Sequence, residues 1–153
     1  QQHLAAMVAD ASRPSFSIKD RQLMMTKNGK TIVFSPNGEQ YSYHWASLSP
    51  NGQKVSYYIS AVGCFVCNID GSNIQFIGHN CYAPVWYNDE IIIASDTKDD
   101  GHVITESAIV AYDLKGNKQV LTNGDHIAVF PHAIAGKIAY STSEGEIYIM
   151  NVK

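Results

Sequence analysis

The chain has 153 residues, a formal net charge of −3, 16% charged residues and 45% hydrophobic ones. That length supports one domain with a sizeable core. The charge balance argues against phosphate-backbone binding, so no nucleic-acid partner is expected, and no apolar run is long enough for a transmembrane helix.

Leu4 to Val8 is helix-prone by propensity alone. Met7, however, stands nine residues before Phe16, and the same spacing separates Ile77 from Trp86 and Leu121 from Phe130. The segment therefore reads as a strand. Phe16 to Met25 follows as a degenerate strand pair, and Ile32-Val-Phe-Ser-Pro-Asn-Gly38 as a strand ending in a turn. Trp45-Ala-Ser-Leu-Ser-Pro50-Asn-Gly52-Gln-Lys-Val55-Ser-Tyr57 is the clearest stretch. Pro presets φ for an early turn position, Asn-Gly tolerates positive φ, and the flanking runs alternate, which predicts a hairpin.

Phe65 to Gly71 predicts a further strand and turn. Trp86 to Ala94 and Phe130 to Tyr140 repeat the aromatic, turn and apolar strand. Val110 to Gly116 and Ile147 to Lys153 repeat the later strand. The order recurs every 29 to 44 residues, with no helix in the unit. Four short strands per repeat predict an all-β chain, a β-propeller of four-stranded antiparallel blades. A lone blade cannot bury both faces, so blades must stack, with the aromatics expected in the layers between them. The blades are placed at 14–43, 44–79, 84–122 and 128–153, the last completed by 1–8, in a single domain over 1–153. The first blade is expected to carry a short fourth strand.

These repeats resemble the TolB-like propellers, marked by a W-S-P-D-G turn, an I-Y-x-x-D-x-x-G strand end and a following L-T. The matching stretches are Trp45 to Gly52, Ile147-Tyr148-Ile149-Met150-Asn151, Ala111 to Gly116 and Leu121-Thr122. Asn51 replaces the usual Asp, Trp86 has no Ser-Pro after it, and Phe130 runs into Pro131-His132. The same grammar occurs in propellers of prolyl-oligopeptidase-like enzymes and of oligogalacturonate lyases. The resemblance implies a bacterial cell-envelope setting, periplasmic or secreted. Gln1 in place of Met fits either removal of a leader or a cut from a longer protein. Three assemblies fit four blades: a closed disc, part of a larger propeller, or a homodimer making an eight-bladed ring.

Two sets of candidate site residues emerge. Residues just before the innermost strands ring one mouth of a propeller; here they are Arg13, Tyr41, His44, Cys81, Tyr82, Asp125 and His126. The mixture suits a peptide or small polar ligand, although Tyr on a strand usually packs with its hydroxyl in water. The stretch Ser95 to Ser107 reads as a long polar loop with Asp96, Asp99, Asp100, His102 and Glu106. Its carboxylates suit Ca²⁺ by type but not by spacing.

No metal site, cofactor or catalytic residue is assigned. HxH, HExxH and GxSxG patterns are absent, as is a phosphate loop. Cys64 and Cys67 have CxxC spacing but should lie on opposite faces of a strand, where they cannot clamp one ion. Buried thiols are expected, with a disulfide from Cys81 as the alternative. The reading is a non-catalytic binding or scaffold propeller that holds a protein or peptide on one face. The alternative is a carbohydrate-active, oligogalacturonate-lyase-like or peptidase-associated propeller.

Overall fold

The computed structural model describes residues 10–152. The strand expected within 1–8, and with it the completion of the last unit, lies outside the described residues. The regular structure among the described residues is all β, in four antiparallel sheets that follow one another along the chain. Sheet one holds β1 (Ser15–Lys19), β2 (Gln22–Lys27) and β3 (Lys30–Val33). Sheet two holds β4 (Tyr43–Leu48), β5 (Lys54–Ile59), β6 (Gly63–Asn68) and β7 (Gln75–Gly78). Sheet three holds β8 (Tyr82–Trp86), β9 (Ile91–Asp99), β10 (Ile104–Asp113) and β11 (Lys118–Val120). Sheet four holds β12 (Ala128–Ile134), β13 (Lys137–Thr142) and β14 (Ile147–Asn151).

Two expectations are corrected. The short fourth strand of the first unit is not formed. Side chains take up the backbone groups there: the Tyr43 hydroxyl accepts from Asn37 N and donates to Gly38 O, both at 2.9 Å. Gln22 Nε2 donates to Glu39 O (3.0 Å) and Tyr41 O (3.2 Å). The polar loop Ser95 to Ser107 is mostly strand, with Asp96 opposite Ala108, Thr97 opposite Ser107 and Lys98 opposite Glu106. The sequence shows why, since Thr97 and Val103-Ile104-Thr105 are β-branched. The turn is confined to the tip, where Asp100 Oδ1 accepts from His102 N and Val103 N, both at 2.9 Å.

The Ser49-Pro50-Asn51-Gly52 turn forms as the sequence predicts, with Gly52 at φ +74° and its N–H 2.8 Å from Ser49 O. It also joins neighbouring sheets. Arg13 Nη2 donates to Ser49 O (3.2 Å) and Pro50 O (3.0 Å). Asn51 N donates to Asp89 Oδ1 (2.8 Å), and the Tyr87 hydroxyl donates to Gly136 O (3.1 Å). Polar links at successive hairpins thus run from sheet one to sheet four.

Apolar layers fill the spaces between the sheets. Leu23, Tyr43, Val55, Tyr57 and Cys67 lie between sheets one and two. Tyr58, Cys64, Ile77, Cys81, Trp86 and Ile92 lie between two and three. Ile93, Ile109, Ala128 and Ile138 lie between three and four. Adjacent residues therefore serve different layers, Tyr57 and Tyr58 or Ile92 and Ile93, because strand side chains alternate in direction. Cys64 and Cys67 fall in separate layers, so their CxxC spacing makes no ion clamp. All three cysteines are buried free thiols. Cys64 Sγ donates to Cys81 O at 2.6 Å, and burial pushes the Cys67 thiol up to about 12.

Among the described residues the end sheets carry an apolar layer on one face only. Ile134, Ile147 and Ile149 of sheet four are 60%, 75% and 68% exposed. Among the described residues no strand of sheet four packs on sheet one to the extent seen between consecutive sheets.

Exposed aspartates close the turns. Asp70 Oδ1 accepts from Ser72 N, and Asp113 Oδ1 from Lys115 N, both at 2.9 Å. Their carboxyls and that of Asp100 are held below the usual 3.8: Asp70 chiefly by the Ser72 hydroxyl and N–H, Asp113 chiefly by the Asn117 side-chain amide and N–H, and Asp100 by the Val103 and His102 N–H groups. A depressed folded pKa stabilises above the unfolded value and is lost as pH falls through the folded one. Thermal melts should show Tm steady down to about pH 5 and falling below about pH 4. Asp113→Asn should shrink that fall.

Candidate functional site

Strands β4, β8 and β12 are each the edge strand of their sheet, and they lie side by side. Each carries the same irregularity. His44 pairs with Tyr58, and the next pair is Ser47 with Ser56. Tyr82 pairs with Ser95, then Val85 with Ile93. Val129 pairs with Ser141, then His132 with Ala139. Three steps on the edge strand match two on its neighbour, so each strand carries a β-bulge with one extra residue. Trp45, Ala83 and Phe130 sit in these bulges with φ of 54°, 49° and 52°. Left-handed backbone at such residues costs about 1–3 kcal/mol each. In β1 the pairing runs unbroken from Ser15 to Lys19.

The bulges correct the expected equivalence of Trp45, Trp86 and Phe130. They align Trp45 with Ala83 and Phe130, and Trp86 with Leu48. Trp86 is buried between sheets two and three, and its Nε1 donates to Ser47 O at 2.9 Å. Trp45 and Phe130, expected between sheets, are 42% and 59% exposed. The left-handed residue breaks strand alternation and turns these rings out of the layers.

The β9–β10 hairpin stands beside this row and borders two cavities. Asp96, Lys98, Thr105, Glu106, Ser107 and Ala108 line one; Ser95, Thr97, Asp99 and Ile104 line the other. The polar cavity is about 460 Å³ and adds Asp125, His126 and Glu144. Lys118 holds Asp96 Oδ2, while the other oxygen has no partner among the described residues. Lys98 pairs with Glu106 at 3.2 Å. His126 Nε2 is 3.3 Å from the Tyr148 hydroxyl, and its Nδ1 is 3.8 Å from Glu144 Oε2. Ligand atoms of His126, Glu144 and Glu146 lie within 4.8 Å of one another, so these side chains can reach one cation. Backbone N–H, Thr142 and Ser143 hydrogen bonds, with His126 nearby, hold the Glu144 carboxyl below its usual range.

The second cavity, about 270 Å³, is walled by Trp45, Tyr82, Ile104 and Phe130 with Asp99 on its lining. An adjoining hollow of about 280 Å³ shares Trp45 and Phe130 and reaches Pro84, Pro131 and His132. Ring centroids lie 6.1 Å apart for Trp45 and Tyr82, 5.1 Å for Trp45 and Tyr58, and 5.4 Å for Tyr58 and Tyr82. Burial, with a hydrogen bond to Tyr82, pushes the Tyr58 phenol up to about 12.

The residues expected to ring one mouth are dispersed. Arg13 is committed to the Ser49–Gly52 turn, and Cys81 is fully buried. Tyr41 is exposed. His44 joins the aromatic group while bonded to Ser60 Oγ at 2.7 Å. Tyr82 lines the aromatic cavity, and Asp125 and His126 the polar one. Of the supposed loop, Asp99 reaches the aromatic cavity, Asp96 and Glu106 the polar one, while Asp100 caps the tip and His102 stands exposed. Phe130 and Glu144 were not singled out as site residues. Pro84 and Pro131 carried the missing signal: Pro inside a strand belongs to an edge or a bulge.

No family model matches the chain, and no curated protein matches it. Solved structures do. A protein assigned as TolB from Agrobacterium tumefaciens aligns with a TM-score of 0.62 at 12% identity, over 89% of this chain and 59% of that one. TolB from Acinetobacter baumannii aligns with a TM-score of 0.52 at 18% identity, over 90% of this chain and 40% of that one. The likeness is one of fold, and this chain spans less than two thirds of either structure.

The two tryptophans should separate in mutagenesis. Trp86→Ala should cost about 3–5 kcal/mol, as for a large buried side chain. Trp45→Gly should change stability by about 1 kcal/mol or less, because relief of the left-handed strain offsets lost ring contacts. Chemical denaturation of both variants checks this.

Proposed function

We propose that this chain is a non-catalytic binding module that holds a protein or peptide partner against the wall made by Trp45, Tyr82 and Phe130. The observation that carries the reading is the bulge repeated on three neighbouring edge strands. Strained left-handed backbone recurs there, and at two of the three positions it puts a large aromatic ring into solvent. Exposed aromatics over a hollow are the usual anchors of peptide recognition.

In this reading the four sheets are blades of a TolB-like β-propeller, at 14–43, 44–79, 84–122 and 128–153, and β4, β8 and β12 line its axis. The exposed isoleucines of sheet four support completion of the ring by further sheets, from a second copy or a longer chain. The TolB-like fold supports a periplasmic or secreted setting. A carbohydrate-active reading would need several imidazoles around one ion. His44 and His126 instead serve separate groups, bonded to Ser60 and Tyr148.

A displayed peptide library selected on the protein, followed by calorimetry of the enriched peptides, tests the proposal. Trp45→Gly and Phe130→Ser should each weaken binding at least about tenfold, which is about 1.4 kcal/mol, with Tm nearly unchanged. Peptides that bind both variants as tightly as the parent would refute this wall as the site.

A further inference from the structure

We infer that the cavity between Trp45, Tyr82 and Phe130 seats one cationic side chain of the partner, a lysine or an arginine. This rests on the binding role proposed above and specifies its chemistry. The walls are aromatic faces and edges, and a ring face attracts an ammonium or guanidinium group through its quadrupole. Asp99 is the one charged residue on the lining. Its Oδ1 accepts from Gly101 N at 2.9 Å. Among the described residues the carboxylate has no ion-pair partner, which leaves Oδ2 available to a cation.

Ser95 and Thr97 on the lining are engaged. Ser95 Oγ accepts from Phe130 N at 3.1 Å, and Thr97 Oγ1 lies 2.8 Å from Ser107 Oγ. An acidic ligand meets Asp99, whereas a cationic one is complemented by it. The volume of about 270 Å³ falls just below the roughly 300–1,000 Å³ of small-molecule sites, so it suits one long side chain better than a whole ligand. Alternation along β9 keeps Lys98 on the opposite face, paired to Glu106, so no lysine of the hairpin occupies the seat.

The test uses Nα-acetyl amides of lysine, arginine, norleucine and glutamate, followed through the indole N–H signals in nitrogen-resolved NMR. The chain has two tryptophans, so the signal lost in Trp45→Gly identifies Trp45. The lysine and arginine amides should shift the Trp45 signal saturably at millimolar concentration and leave Trp86 in place. Norleucine and glutamate amides should shift it far less. Asp99→Asn keeps an oxygen for the Gly101 N–H, so the tip stays folded, and it should weaken the cationic amides about threefold to tenfold. A norleucine response equal to that of lysine, a preference for glutamate, or an unchanged affinity in Asp99→Asn would overturn the inference.

Selected peptides separate this from the parent proposal. Peptides that need Trp45 and Phe130 but tolerate lysine-to-norleucine replacement would overturn the cationic seat and leave the binding module standing. Cationic amides that fill the seat while no peptide is ever selected would leave the seat standing and remove the module.

Discussion

One extra residue in each of three edge strands governs how this molecule meets its surroundings. A regular strand in β4 would return Trp45 to an inter-sheet layer, because apolar layers cover both faces of sheet two. The bulge instead holds Trp45 and Phe130 left-handed and outside. Such backbone persists where the surroundings over-determine it, and the surroundings here are specific. Phe130 N is held by Ser95 Oγ from the neighbouring sheet. Ser47 O, two residues beyond Trp45, is held by the Trp86 indole. Each of these two strands is fixed by a side chain from sheet three, so the wall depends on how neighbouring sheets pack as well as on its own strands.

That packing follows from sheets buried on both faces. In β5 the run Val55 to Ile59 is buried throughout, and in β9 so is Ile92 to Ser95. Continuous burial is the mark of a strand sandwiched between layers. Sheets one and four, with an apolar layer on one side among the described residues, retain exposed isoleucine and valine on their strands. The aromatic row is carried mainly by the interior of this arrangement, which suits a surface that must keep its rings in fixed relation.

Much of the architecture was legible in the sequence. Ser49-Pro50-Asn51-Gly52 gave its turn, the alternation of Val55 and Tyr57 gave its strand, and the recurring spacing gave a succession of antiparallel units. The failures share one physical cause. Spacing counts residues, and a bulge adds a residue without adding a pair, so Trp86 was matched with Trp45 when its partner position is Leu48. Left-handed positions are usually betrayed by Gly or Asn; here they are occupied by Trp, Ala and Phe. The polar stretch after Ala94 was misread for a related reason. Its charged residues hid β-branched ones, and long-range pairing to β10 outweighed local polarity. The acidic residues of that stretch separated because strand side chains alternate in direction, which puts Asp96 and Asp99 on different cavities.

That alternation also sorts charge. Asp96 and Glu106 share one face of the β9–β10 hairpin with lysines that hold them, Lys118 and Lys98. Asp99 lies on the other face beside Trp45, Tyr82 and Phe130 with no such partner among the described residues. An exposed ion pair contributes little to stability, so the pairing chiefly determines where negative potential remains uncancelled. At the aromatic cavity it remains with Asp99. The same strand geometry that misled the reading of the loop thus sets the charge selectivity of the wall.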